Sequence, residues 1–198
     1  MNWFNLYSDL YDPFMALTGL YRPDHVIRAL KPLPGELILD LCGGTGLISG
    51  KIAGCGCTVA VLDHTLRMLA RAKRRGVSAC CGKAESLPFR NRSFDACICI
   101  DGLHHIRGLR MSLKEMIRVL RPGARIVVME FDFSGSTGRI LHLFERLLVD
   151  RIRPIAPEKL AAEMRRFGVS GSIERVNNLM YLFAGSIDKH VDKLEKIS

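Results

Sequence analysis

The sequence predicts an α/β fold: a doubly wound, mostly parallel seven-stranded sheet with an antiparallel last strand and helices on both faces. Two observations predict it. Short apolar runs alternate with segments of helical periodicity through most of the chain. The run at 94–100, FDACICI, is apolar almost throughout, as a strand covered on both faces must be. Such alternation implies parallel strands joined by right-handed crossovers. That topology leaves a ligand crevice at the carboxyl ends of the strands.

The elements follow in order. A strand at 37–41 runs into a glycine-rich turn, and a short helix occupies 46–53. The next strand, 58–62, ends at Asp63. Thr65 is placed to cap the following helix, whose apolar positions are Leu66, Met68, Leu69 and Ala72. Strands at 77–81 and 94–100 come next. Leu113, Met116, Ile117 and Leu120 mark a helix that Pro122-Gly123 ends, and 125–131 is the fifth strand. An amphipathic helix is expected at 138–153 and another at 157–167, opened by Pro157. Strands at 172–176 and 180–185, joined through Asn177-Asn178, suggest an antiparallel hairpin.

The 198 residues suit one domain. Its expected parts are an amino-terminal segment at 1–35, a core at 36–131, helices and the closing hairpin at 132–186, and a polar tail at 187–198. No apolar run reaches the roughly 18 residues of a membrane span. The first twelve residues lack the charge and apolar pattern of a signal peptide, so the expectation is a cytoplasmic protein. Seven cysteines, mostly within apolar runs, argue against a secreted disulfide framework and read as small core residues. The pairs Cys55/Cys57 and Cys97/Cys99 are C-x-C, with each pair on one face of a strand, and no metal site is expected. A net charge of +9 favours an anionic partner: a phospholipid surface, a nucleic acid or an acidic substrate.

The chemistry concentrates at Leu39-Asp40-Leu41-Cys42-Gly43-Gly44-Thr45-Gly46. A strand delivers a carboxylate, and glycines then let the backbone turn sharply and approach a ligand. Asp63 ends the neighbouring strand 23 positions later, a placement that suits an acid bonding ribose hydroxyls. A nicotinamide cofactor would also want that acid. Its G-x-G-x-x-G/A fingerprint fits poorly, because Ser49 stands at the third small position.

The downstream segments decide between cofactors. Ala84-Glu85-Ser86-Leu87-Pro88-Phe89, Ser93-Phe94-Asp95, Leu103-His104-His105 and Glu115-Met116-Ile117-Arg118-Val119-Leu120-Arg121-Pro122-Gly123 follow one another at family spacing. Over about 36–130 the chain resembles the class I S-adenosylmethionine-dependent methyltransferases. Its motifs are most similar to the ubiquinone/menaquinone C-methyltransferase-like and phosphatidylethanolamine N-methyltransferase-like branch. The resemblance implies a Rossmann-like sheet and S-adenosyl-L-methionine as cofactor. It places Cys42, Gly43, Gly44, Thr45 and Gly46 under the methionine part, with Asp40 supporting that turn or, partly through water, the amino group. Asp63 would bond the ribose, and His64 would lie near the adenine face. Lys83 and Ala84 would border the adenine edge, and Ile100 and Asp101 would lie near the sulfonium. Met68 is a further cofactor candidate, although helix core accounts for it better. Two positions depart from the family. Cys42 stands where the family's first glycine falls. Lys83 stands where an acid often bonds the adenine amino group, and a lysine cannot accept that bond; Glu85 or a backbone carbonyl would take over.

Methyl transfer from a sulfonium needs alignment and exclusion of water more than a fixed catalytic residue. Candidate catalytic groups are Asp101, His104 and His105, with a histidine of near-neutral pKa able to take a proton. Glu130 and His105 are candidates for holding the acceptor. The amino-terminal aromatics, Tyr7 and Tyr11 among them, suit a helical lid over it, and Tyr11-Asp12 resembles the Y-D of the quinone enzymes. A small lipophilic or lipid-like acceptor leads, by quinol C-methylation or phospholipid amine N-methylation. The basic 138–153 segment suits peripheral contact with an anionic membrane surface, and the chain is expected as a monomer or homodimer. Three rivals stand behind this reading. One is an RNA methyltransferase, for which Asp101-Gly102-Leu103-His104 replaces the Asn-Pro-Pro-Tyr motif. The others are a non-catalytic S-adenosylmethionine-binding module and a nicotinamide oxidoreductase.

Overall fold

The structure, a computed structural model, describes residues 12–13, 22–135, 138 and 152–189. Seven strands form one sheet in the order β3-β2-β1-β4-β5-β7-β6. They are β1 (Leu37–Leu41), β2 (Thr58–Asp63), β3 (Ser78–Cys81), β4 (Phe94–Ile100), β5 (Leu120–Phe131), β6 (Val169–Arg175) and β7 (Met180–Ile187). The first five are parallel, and β7 runs antiparallel to both β5 and β6.

The α-helices that lie wholly among the described residues are α1 (Pro23–Leu30), α2 (Leu47–Ala53), α3 (Leu66–Arg74), α4 (Leu109–Val119) and α5 (Pro157–Arg166), with a 3-10 turn at Leu103–His105. Their apolar stripes split between two cores, one on each face of the sheet. Val26, Leu30, Ile48, Ile52, Leu69 and Ala72 from α1, α2 and α3 cover one face. Leu113, Met116, Leu160 and Met164 from α4 and α5 cover the other. The chain leaves β1 toward β2 and leaves β4 toward β5, in opposite directions. Helices therefore pass to opposite faces, and a crevice opens beyond β1 and β4 at the switch point. Cys97 and Cys99 both face the α4 side, as strand alternation requires. Cys55 instead lies in the turn after α2, so alternation does not govern it.

Several boundaries differ from expectation for local reasons. Thr65 precedes α3 but makes no side-chain cap bond. The Asp63 carboxylate takes that place, accepting the Thr65 N–H at 2.8 Å. Helix α4 ends at Val119, and Leu120 already pairs with Phe94. Pro122-Gly123 thus lies inside β5, where the register shifts between Phe94 and Ala96. The closing strands are longer than read. Asn177 shapes their turn, its Oδ1 accepting from Leu179 and Met180 N–H at 2.8 and 2.9 Å. The helix read at 138–153, the aromatic lid with Tyr7 and Tyr11, and the tail lie outside the described residues, save Asp12, Pro13, the helical Gly138 and positions 22–35, 152–153 and 187–189.

Arg118 on α4 fastens the loop after β3. Its guanidinium donates to Leu87 O and Phe89 O, both at 2.9 Å, to Asn91 Oδ1 at 2.7 Å, and to Glu115. Glu115 returns the tie by accepting the Leu87 N–H at 2.7 Å.

Candidate cofactor and active site

β1 carries Asp40 into the interior, 2% exposed, where the Ser49 hydroxyl donates to its Oδ2 at 2.5 Å. Burial, reinforced by the charge of Asp63, outweighs that bond and pushes the Asp40 carboxyl up to about 7. The carboxylate supports the turn by close packing. A Cβ on Gly43 would be built into it, with Oδ1 only 2.7 Å away, so only glycine fits there.

Asp63 closes the other side of the turn. Its Oδ2 accepts the Gly44 N–H at 3.0 Å while its Oδ1 holds the start of α3. The side chain is nearly buried, and His64 beside it is largely exposed, its Nδ1 3.6 Å from Asp63. Met68 is buried, with Sδ 3.5 Å from the space over Gly44. These groups suit an adenosyl compound. Backbone and glycine form a cradle at the tip of β1, with a fixed acid at the tip of β2. The cradle residues, Asp40, Asp63, His64 and Met68 lie together at the tips of β1 and β2 and the start of α3.

The loop after β3 is arranged differently from expectation in one respect. Ala84 is buried, and Lys83 bridges to Ser86, whose N–H bonds the Lys83 carbonyl at 3.1 Å. Glu85, expected to replace the missing adenine acid, accepts the Gly108 N–H at 3.1 Å and so ties this loop to the start of α4.

At the tip of β4, Ile100 and Asp101 are half-buried, and Asp101 has a φ of 53°. Glu130, expected at the acceptor, is 1% exposed and braces this loop from β5. Its Oε1 accepts the Gly102 and Leu103 N–H groups at 2.9 and 2.5 Å, and its Oε2 lies 2.6 Å from His104 Nδ1. A carboxylate only accepts, so Nδ1 carries the proton. Atoms of Asp101, His104 and Glu130 lie within 4.8 Å of one another, but three N–H donors occupy Glu130, making the group a hydrogen-bonded brace.

His104 is buried, and its ring lies 3.9 Å from that of His105. Burial, with the charges of His104 and His64, lowers the His105 pKa to about 3. The pKa of His105 thus lies below the near-neutral range expected from the sequence, and its neutral ring offers one nitrogen as donor and the other as acceptor. Phe131 and Phe133 lie 6.3 and 5.9 Å from His104 and extend an aromatic cluster over the tips of β4 and β5.

Sequence reading missed one tie. Asp12 accepts the Thr45 hydroxyl at 2.7 Å, and Arg75 donates to Asp12 at 2.7 Å and to the Thr45 carbonyl at 2.6 Å. Nothing in the spacing paired position 12 with positions 45 and 75.

A doubly wound sheet with a glycine cradle at one strand tip and an acid at the next defines a nucleoside-cofactor domain. A family model described as a methyltransferase domain matches residues 39–128. The demethylmenaquinone methyltransferase of Renibacterium salmoninarum is 40% identical over 109 residues, 54% of this chain and 46% of that protein. That of Beutenbergia cavernae is 43% identical over 108 residues, 54% and 45% of the two chains. The match thus spans about half the length of these curated relatives. A solved S-adenosylmethionine-dependent methyltransferase from Thermotoga maritima, described as a possible histamine N-methyltransferase, covers 93% of this chain and 98% of its own at a TM-score of 0.76 and 21% identity. The structure of the Haloferax volcanii Trm112 methyltransferase activator with a methyltransferase gives 0.82 at 15% identity, over 95% and 99%. At these identities the likeness is one of fold. Residues 39–128 thus match a methyltransferase domain, and the fold is that of solved S-adenosylmethionine-dependent methyltransferases.

Proposed function

We propose that this chain transfers the methyl group of S-adenosylmethionine to a small lipophilic acceptor, with a quinol ring first and a phospholipid amine second. The observation that carries this reading is the 40–43% identity with demethylmenaquinone methyltransferases. The aromatic cluster of His104, His105, Phe131 and Phe133 at the tips of β4 and β5 agrees with a flat, apolar acceptor.

When bound, the cofactor supplies an already activated methyl group. The protein's part is to hold, align and keep dry. Residues 42–46 take the methionine part, Asp63 the ribose hydroxyls, and His64 with Lys83 and Ala84 the adenine. Asp101 and Ile100 border the transferred group. His105, kept neutral, accepts a hydrogen bond from an acceptor hydroxyl and so orients it.

No helix among the described residues is long and apolar enough to cross a membrane. Leu66 and Met111, 70% and 53% exposed, lie at the amino-terminal turns of α3 and α4 on the crevice side of the sheet. With the basic net charge they suit peripheral contact with an anionic bilayer, where a lipophilic acceptor would be collected.

The test is incubation with isotopically labelled S-adenosylmethionine and, separately, reduced demethylmenaquinone, phosphatidylethanolamine and RNA, read by mass spectrometry. Label is expected in the quinol. Label in RNA alone, or in none of the three despite cofactor binding, overturns the proposal.

A further inference from the structure

We infer that Cys42 and Cys99 form a peroxide-sensitive dithiol built into the cofactor turn, and that their disulfide closes the cradle to its cofactor.

The placement comes from the strand register. β1 and β4 pair Leu39 with Cys97 and Asp40 with Ile98, which sets Leu41 beside Cys99 and Cys42 one residue beyond. Neighbouring strands lie about 4.8 Å apart with a rise of about 3.3 Å per residue, so the two Cα atoms are roughly 6 Å apart. That is within the span a disulfide bridges. Orientation is the harder requirement, because the next residue along a strand normally faces the opposite side. Cys42 escapes it with a φ of 59°, a left-handed backbone rare for any residue with a side chain. Its side chain packs on the α4 side, in the same cluster as Cys99.

Gly102 makes the room. A Cβ built there would lie 2.7 Å from Cys42 Cβ, 3.2 Å from Cys99 Sγ and 3.6 Å from Cys42 Sγ. Both sulfurs therefore converge on the space that glycine leaves. The Cys42 side chain hydrogen bonds Cys99, and that bond together with burial pushes the Cys99 thiol well up. Cys99 is wholly buried, whereas Cys42 is partly exposed. This asymmetry suits an attacking thiol and a resolving one.

The chemistry balances with a hydroperoxide as oxidant. The Cys42 thiolate attacks the terminal peroxide oxygen, the O–O bond breaks, and the departing oxygen takes a proton and leaves as water (or an alcohol), giving a sulfenic acid at Cys42. The Cys99 sulfur then attacks the Cys42 sulfur, the S–O bond breaks, and the hydroxyl leaves as water with the Cys99 proton. Two thiols are oxidised and one peroxide is reduced.

The effect on ligand binding rests on the cofactor site proposed above, so the experiment reads the two separately. Reduced full-length protein is treated with hydrogen peroxide, the excess is destroyed, and free thiols are alkylated under denaturing conditions. A digest is expected to yield a Cys42–Cys99 linked peptide pair, lighter by two hydrogens than its parts. Titration with S-adenosylhomocysteine is expected to show at least a tenfold loss of affinity that dithiothreitol reverses. Cys99→Ala is expected to keep the reduced affinity and lose the response, whereas Cys97→Ala keeps both; thermal melting of each variant verifies folding. Absence of the linked pair, pairing of Cys42 elsewhere, or an unchanged affinity after cross-linking overturns the inference. Reduced protein that fails to bind S-adenosylhomocysteine sinks the cofactor reading instead, and the peptide evidence still judges the dithiol.

Discussion

Glu130 and His104 form a buried pair, Oε2 to Nδ1 at 2.6 Å, in which the acid on β5 anchors the loop that follows β4. The same carboxylate holds two backbone N–H groups through its other oxygen. Removing it orphans three donors in an apolar surround. Glu130→Ala is expected to cost about 3 kcal/mol. In a domain of this size that corresponds to a fall in Tm of roughly 6–12 °C, measured by calorimetry. Glu130→Gln keeps one oxygen for the backbone donors and is expected to fall between. An alanine variant melting within about 2 °C of the parent would show that the loop holds without the brace.

Gly43→Ala tests the packing of the cradle. The new methyl group meets the Asp40 carboxylate, which Ser49 holds in place. A loss of about 1–3 kcal/mol in stability is expected, as in other overpacked sites. Calorimetric titration is also expected to show weakened S-adenosylhomocysteine binding, because the turn must shift. Unaltered affinity would mean that the turn moves freely.

Asp63→Ala addresses the ribose assignment. Loss of a charge-assisted bond is expected to weaken S-adenosylmethionine by about 1–3 kcal/mol, roughly 5- to 150-fold. Asp63→Asn, which keeps an acceptor for Gly44 N–H, separates loss of charge from collapse of the turn. Equal affinity in all three proteins removes Asp63 from the site.

Two buried groups shape the pH dependence in opposite directions. Asp40 has its pKa raised from 3.8 to about 7 in the fold, chiefly by burial. The folded state therefore holds its proton more tightly, and that stability is present below pH 3.8 and lost as pH rises to 7. His105 has its pKa lowered from 6.5 to about 3, again by burial first. Its contribution is present above pH 6.5 and lost as pH falls toward 3. Asp40→Asn removes the first effect and leaves the second. Urea unfolding between pH 4 and 7 is expected to show the variant gaining on the parent with rising pH, by up to about 1.4 kcal/mol per unit. Parallel curves would show that Asp40 does not titrate in the fold.

The legible parts of the sequence were those where one local rule decides. Phe94–Ile100 is apolar because both faces are covered, and its limits are those the pattern gave. Pro122-Gly123 misled for the opposite reason. A helix stop and a bulged strand use the same two residues, and only the pairing of Leu120 with Phe94 selects the strand.

In the site, the cradle and Asp63 were legible because covalent spacing nearly fixes them. Glu130 and Glu85 were not, because a carboxylate at a strand tip looks the same whether it meets a ligand or a backbone N–H. Their partners, Gly102, Leu103 and Gly108, lie 23 to 28 positions away and become neighbours only in the fold. The low pKa of His105 was likewise invisible, since burial and not identity sets it.

Asp12 reaches across to both Thr45 and Arg75, so one carboxylate joins two positions that stand 30 residues apart in the chain. Because Arg75 also donates to the Thr45 carbonyl, the turn after β1 and the residue that ends α3 share a single electrostatic clasp. Loss of that one acid therefore loosens both ends together.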